Sequence, residues 1–230
     1  DDGARGMYFY LTKLGTDTDH GGRFAYRSAD TDMLGWVCER AAGARMADLI
    51  SLLIWQPMGA EFDAEITCDG VGSAIHDGGM SARARDVARF GQLLLDDGYA
   101  HDSSTVPERW LAEARAVDPD TRGAFAASDS EPVLTGGWYS KQFWFVPGPL
   151  GDLQLCLGIH GQMVLVDRAT NTVSVKLSSW PSAQDTAALI DTIRAFVAAG
   201  RHLAGLTGSA DARSARGPIG VVEGRERGRS

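Results

Sequence analysis

Apolar positions along this chain follow two rhythms, one helical and one alternating, and the change falls near residue 138. Residues 7–14 are helix-like and stop at Gly15. Met33, Leu34, Val37, Cys38 and Ala41 then recur at helical spacing, with Gly43 placed to end that helix. Ser28 and Asp30 are natural N-cap residues for it, and Asp32 adds negative charge where the helix dipole favours it. Residues 46–55 predict a second helix, with Leu49, Ile50, Leu52 and Leu53 as a broad apolar face and Gln56-Pro57 as its stop. Residues 66–75 carry Gly70 and Gly72 and fit a short strand pair. Ser81 is placed to cap a helix whose buried stripe is Val87, Phe90, Leu93 and Leu94 and which ends at Asp97-Gly98. Pro107 suits the first position of a short helix over 107–114, with Trp110 and Leu111 buried. Residues 118–132 are polar and read as a surface loop.

From Trp138 the period shortens. Trp138, Tyr139, Phe143, Trp144 and Phe145 form an aromatic cluster. Residues 153–159, 163–167 and 172–177 alternate or run apolar between short polar connections, which predicts an antiparallel meander. Ser182 opens a last helix with Leu189, Ile190, Ile193, Phe196 and Val197 on one face and Gly200 at its end. A helix after a meander packs on one face of the sheet. Beyond residue 205 the chain is rich in Gly, Ala, Ser and Arg without periodicity, so 206–230 reads as a disordered tail. The expected organisation is one domain over 1–205, with a mostly helical part at about 7–135 and the strands and final helix at 138–200.

Composition narrows the function more than the fold. Hydrophobic residues make up 44% of the 230, enough for a sizeable core. The net charge of −8 and the lack of a basic stripe argue against a nucleic-acid partner. No apolar run approaches the roughly 20 residues that span a bilayer. The histidines and cysteines show no metal-ligand spacing, so neither a metal nor another cofactor is expected. Cys38, Cys68 and Cys156 are odd in number and far apart, which argues against a disulfide framework and favours a reducing compartment such as the cytoplasm.

Two stretches carry candidate chemistry. The first is Phe24-Ala25-Tyr26-Arg27-Ser28, which leads into the Asp32-Met33-Leu34-Gly35-Trp36 helix and leaves a phenol on a loop held by a rigid element. The second is Gly158-Ile159-His160-Gly161-Gln162, at the end of an apolar strand. Together they resemble the Tyr-x-Asn/Ser and third active-site motifs of the serine β-lactamase-like hydrolases, a superfamily that includes class C β-lactamases and penicillin-binding proteins. The resemblance is nearest to the 6-aminohexanoate-oligomer hydrolase branch and extends over most of residues 20–200. It implies an α/β (α+β) fold of the β-lactamase/transpeptidase type. In that fold an antiparallel sheet is flanked by helices beside a mostly helical subdomain, here expected to be N-terminally incomplete.

The same resemblance implies roles. Tyr26 would be the catalytic acid/base, and the Ile159 backbone N–H an oxyanion donor. Ser28, Asp77, Gly158, His160, Trp138 and Trp144 would line the substrate cleft, although core packing is the stronger reading for both tryptophans and a purely structural role as good a reading for His160. Cys156-Leu157-Gly158 aligns with the Lys-Thr-Gly motif of the penicillin-recognising members, so a cysteine stands where they have lysine. A tyrosine serves as base only if nearby positive charge depresses its pKa from about 10. In the family that charge comes from the lysine of a Ser-x-x-Lys nucleophile motif. Here Lys13, Lys141 and Lys176 are preceded at that spacing by Tyr10, Trp138 and Val173, so these residues contain no such motif. The expectation is a serine hydrolase of small-molecule amides or esters. A catalytically inactive homologue that binds a ligand or partner is the alternative.

Overall fold

The structure is a computed structural model that describes residues 5–16 and 19–206. The expected tail at 206–230 therefore lies outside the described residues from position 207 onward.

The helices form close to where the sequence pattern places them, with shifted ends, but the stripe at 33–41 is not a buried face. Leu34, Val37 and Cys38 are exposed, and Asp32, Gly35 and Glu39 are buried in their stead. α1 spans Gly6–Leu11 and α2 spans Ser28–Ala42. Arg27 occupies the N-cap of α2 and no side chain caps it, so Ser28 and Asp30 sit inside the first turn instead of capping it. Gly43 closes the helix in the left-handed conformation, its N–H bonded to the Glu39 carbonyl. α3 spans Met46–Ile50 and continues as a single wider π-turn over Ser51–Trp55. Leu52 and Leu53 on that turn face solvent, so only part of the expected apolar face is buried.

β1 (Glu65–Ile66) pairs with β2 (Met80–Ser81), and Cys68 bridges Ala74 inside the excursion between them. Ser81 is therefore a strand residue. Arg83 holds the N-cap of α4 (Ala84–Leu95), again without a side-chain cap. Asp86 of α4 is fully buried, accepts the Glu61 N–H at 2.8 Å and pairs with Arg89 at 3.0 Å. Glu61 also pairs with Arg85 and Arg89, so these charges form a structural network.

A small hairpin of β3 (Tyr99–Ala100) and β4 (Ser103–Ser104) precedes α5, Glu108–Arg115, with Pro107 at its N-cap. The stretch read as a loop contains α6, Pro119–Ala126. Asp118 caps it by accepting the Thr121 N–H at 2.8 Å, Pro119 starts it, and Phe125 is its fully buried anchor. That short apolar content, hidden among polar residues, concealed the helix. The Asp-Pro start was its one legible signal.

The sheet is a five-stranded antiparallel meander: β5 (Trp138–Ser140), β6 (Phe143–Pro147), β7 (Asp152–Gly158), β8 (Gln162–Asp167) and β9 (Thr172–Lys176). The three expected strands are adjacent, and the aromatic cluster supplies two more. Alternation sorts their side chains onto two faces. Trp138, Phe143, Phe145, Val164 and Val166 pack with Leu94 and Leu95 of α4 and Leu111 and Ala114 of α5. Val146, Leu153, Leu155, Met163 and Leu165 pack with Phe125, Leu134 and Ile193 of α7, which spans Thr186–Leu203. Asp185 caps α7, so the helix starts after Ser182. Gly200 does not end it. Instead it lets the helix lie close to Thr170 and Thr172, whose hydroxyls would sit within 2.9 Å of an added Cβ.

Candidate active site

Tyr26 stands on an aromatic platform. Phe24 and Tyr26, two positions apart just ahead of α2, both meet the rings of Tyr139 and Trp144. The Phe24 N–H donates to the Ala124 carbonyl at 2.9 Å and ties the segment to α6. The Phe24 ring lies 5.0 Å from Tyr139, 5.5 Å from Phe125 and 5.7 Å from Trp144. One residue pair further on, the Tyr26 ring lies 5.4 Å from Trp144 and meets Tyr139 edge-on at 5.9 Å. Tyr139 and Trp144 are themselves a cross-strand pair of β5 and β6. Aromatic pairs in this geometry each add up to about 1.5 kcal/mol beyond area burial. The platform is thus firm while Tyr26 remains 47% exposed.

The electrostatics of Tyr26 differ from the expected base. Burial raises its pKa above the ordinary phenol value, and the carboxylate of Asp77 adds to the rise. The phenol is neutral in this chain and holds a proton. Asp77 is therefore within electrostatic reach of Tyr26. Its backbone is clipped to α2: the N–H groups of His76 and Asp77 donate to one oxygen of buried Asp32 at 2.7 and 3.2 Å. Behind the clip, Tyr8 donates its single proton to Glu39 at 2.7 Å. Its contact with His76 Nε2 at 2.9 Å must therefore be accepted from that nitrogen. Tyr8, Glu39 and Asp32 thus hold His76 and Asp77 against α2. Ser28 is exposed in the first turn of α2, two positions from Tyr26.

The other motif ends β7. Gly158 pairs with Gln162, and Ile159–Gly161 form one tight turn between β7 and β8. Three hydrogen bonds hold His160 to the segment after β9. Its N–H donates to the Ala183 carbonyl at 2.9 Å, its carbonyl accepts the Trp180 N–H at 3.1 Å, and its Nδ1 lies 2.8 Å from the Trp180 carbonyl. A carbonyl only accepts, so Nδ1 carries the proton. Gln162 repeats the attachment by accepting the Ser178 N–H at 2.9 Å. Gly161 sits so close to the Trp180 ring that a Cβ would come within 2.4 Å of it. His160 accordingly has a defined anchoring role. The turn is rigid, with Ile159 62% exposed at its start, two residues beyond Leu157, which packs in the same cluster as Phe24, Tyr139 and Trp144.

The structure separates the two tryptophans. Trp144 lines the Tyr26 platform. Trp138 is completely buried on the opposite face, stacked on Phe145 at 4.9 Å with its indole N–H toward the Ala114 carbonyl, and takes no part in a cleft. Cys156 packs on that same far face, and burial pushes its thiol up to about 12, so it is uncharged near neutral pH. Sequence reasoning missed Tyr139, Gln142 and Thr31. Tyr139 donates to Gln142 Oε1 at 2.8 Å, and Thr31 donates to the same atom at 3.2 Å. Only the pairing of Tyr139 with Trp144 across a short turn could have signalled them. Among the described residues, no group of three His, Cys, Asp or Glu is placed to hold a metal ion. No described helix is long and apolar enough to cross a membrane.

The family model described as Beta-lactamase matches residues 3–199. The chain is 37% identical over 174 residues to the 6-aminohexanoate-dimer hydrolase of Paenarthrobacter ureafaciens, an alignment covering 76% of this chain and 43% of that protein. Among solved structures, a Bacillus anthracis protein assigned by name to the 6-aminohexanoate-dimer hydrolases superposes with a TM-score of 0.78 at 24% identity, over 87% of this chain and 50% of its own. A Bacteroides dorei protein assigned by name to the beta-lactamases gives a TM-score of 0.59 at 17% identity, over 83% and 63%. The chain thus spans about half the length of these relatives, and the structural matches carry the fold: mixed helices and antiparallel sheet of the β-lactamase/transpeptidase type.

Proposed function

This chain belongs to the beta-lactamase family, and from that premise we propose that it carries the proton-transferring and oxyanion-binding part of a serine hydrolase of amide or ester bonds. The observation that carries the reading is Tyr26: a neutral phenol, half-exposed on a firm aromatic platform at the entry to α2. A proton donor placed in this way can protonate a leaving amine or alkoxide. In the family reaction the serine and its lysine come from a Ser-x-x-Lys motif, which residues 1–230 do not contain.

In the proposed reaction the serine oxygen attacks the carbonyl carbon, and its proton passes through the lysine–tyrosine pair. The carbonyl oxygen gathers negative charge and accepts the Ile159 N–H. Each such fixed donor is worth on the order of 3 kcal/mol in the transition state. Collapse breaks the C–N or C–O bond, the leaving group takes the proton from Tyr26, and water then releases the acyl group. A positive lysine next to Tyr26 would oppose the upward pull of burial and Asp77 on the phenol, and so let the same group take a proton as well as give one.

The substrate class proposed is a small linear amide or ester. The Paenarthrobacter relative is named for hydrolysis of such an amide dimer. In addition, an uncharged Cys156 in the place of the Lys-Thr-Gly lysine gives no cationic anchor for a β-lactam carboxylate.

The test is to express residues 1–230 alone and within a longer polypeptide extended to include a Ser-x-x-Lys motif. Both are labelled with a fluorophosphonate and assayed on an activated ester. The longer protein should label and turn over, and the shorter should do neither. A longer protein that does neither would favour the alternative, a homologue that binds without catalysis. Labelling of the short chain that disappears with Tyr26→Phe would place a nucleophile within these residues.

A further inference from the structure

The turn between β5 and β6 is built from residues its geometry does not favour. Lys141 and Gln142 both have positive φ, 52° and 68°. Two-residue hairpin turns require this conformation, but Asn and Gly adopt it at least cost, and side chains with long stems are disfavoured there. Both residues are held from outside the turn. Lys141 Nζ lies 3.2 Å from Glu113 on α5 and sits over the Trp110 ring at 5.7 Å. Gln142 reaches the other way. Its Oε1 accepts from the Tyr139 hydroxyl at 2.8 Å and from the Thr31 hydroxyl at 3.2 Å.

Those two hydroxyls belong to the two supports of Tyr26. Tyr139 is half of the platform against which the Tyr26 ring lies. Thr31 is in the first turn of α2, five positions after Tyr26, so it reports where the helix behind Tyr26 begins. One amide oxygen joins sheet to helix at the point where Tyr26 bridges them. We infer that Gln142 is a positioning residue for Tyr26: it holds the Tyr139 ring and the start of α2 in one register and so sets the direction of the Tyr26 hydroxyl. Gln142 itself contacts no reacting atom. The positive φ of Gln142 is accompanied by hydrogen bonds to both hydroxyls, which help to hold the turn in that conformation.

The inference rests on Tyr26 being the proton-transferring group, and the experiment separates the two ideas. Uniform labelling with 3-fluorotyrosine gives a fluorine resonance for Tyr26, assigned by its loss in Tyr26→Phe. Gln142→Met keeps the side-chain length and removes the acceptor, whereas Gln142→Glu keeps an acceptor for both hydroxyls. Gln142→Met should shift and broaden the Tyr26 resonance and move its titration midpoint, with the fold retained by circular dichroism. Gln142→Glu should restore the wild-type line shape. Thr31→Val and Tyr139→Phe should each reproduce part of the change and add little to Gln142→Met. In the catalytically active longer protein, Gln142→Met should lower kcat about 10-fold with KM little changed, since misplacing a reacting group costs mainly the chemical step.

An unchanged Tyr26 resonance in both Gln142→Met and Thr31→Val overturns the inference. If Gln142→Met fails to fold, the Thr31→Val result decides alone, because it removes a single hydroxyl from the helix surface. A shifted resonance together with full turnover by Tyr26→Phe would keep the positioning role and discard the catalytic reading of Tyr26.

Discussion

The two faces of the sheet use the same kinds of residue to opposite ends. On one face Trp138, Phe143 and Phe145 are sealed under α4 and α5. On the other, Tyr139 and Trp144 leave their outer side to Phe24 and to a half-exposed Tyr26. Trp138 and Trp144 are an even number of positions apart, which within one strand would put them on the same face. The two-residue turn between β5 and β6 reverses this, because it pairs an even position with an odd one: Trp138 with Phe145, and Tyr139 with Trp144. The lesson is that the turn length, as much as the side chain, decides which aromatic residue becomes core and which becomes wall.

Substitution should expose that difference. Trp138→Ala should cost about 3–5 kcal/mol of stability, the range for truncating a fully buried aromatic residue, and Trp144→Ala distinctly less. Paired denaturant titrations check this, and equal losses would refute the assignment of the two faces. Tyr26→Phe should leave stability within about 0.5 kcal/mol, as at an exposed position, yet lower turnover in the active protein by on the order of 100-fold or more.

The sealed face should also make stability sensitive to alkali. The Cys156 thiol on the sealed face is held up at about 12 by burial. Its unfolded value is about 8.5, so the folded state keeps a proton that the unfolded state releases. Stability is then complete below about pH 8.5 and falls by about 1.4 kcal/mol per unit as pH rises from there toward the folded value. Cys156→Ala should flatten that slope in thermal melts taken across the alkaline range. The smallest effect concerns Asp77→Asn, which removes the second contributor to the raised Tyr26 phenol. The Tyr26 titration should move down without reaching the ordinary value, because burial is the larger cause. A fluorotyrosine titration reads this directly, and an unmoved midpoint would place Asp77 outside the site.

Legibility in the sequence followed the same division. The strands over 153–177, the α4 stripe and the α7 face were readable because their periods are clean and their apolar residues are buried. Helix starts were less so: Arg27 and Arg83 are N-caps without a capping side chain, and nothing in the sequence marks such positions. α6 was lost because Phe125 alone carries its burial. For the candidate site, the resemblance points to Tyr26, Asp77, Trp144 and Trp138 alike. What pattern could not supply was the separation of Trp138 from them, which depends on the turn. Nor could it supply the neutral state of the Tyr26 phenol, which depends on burial and on a carboxylate about fifty positions away.

The anchoring of the β7–β8 turn has a consequence for assembly in time. Ile159 belongs to a turn whose fastenings, Ser178, Trp180 and Ala183, come later in the chain than β9. During synthesis, β7 and β8 can therefore zip together before the segment that braces their turn has emerged. On the reading proposed above, Tyr26, made long before, waits on an unfinished counterpart, and the proposed site is completed only when the last stretch ahead of α7 docks. A cut between residues 177 and 184 should loosen the turn while leaving most of the sheet intact.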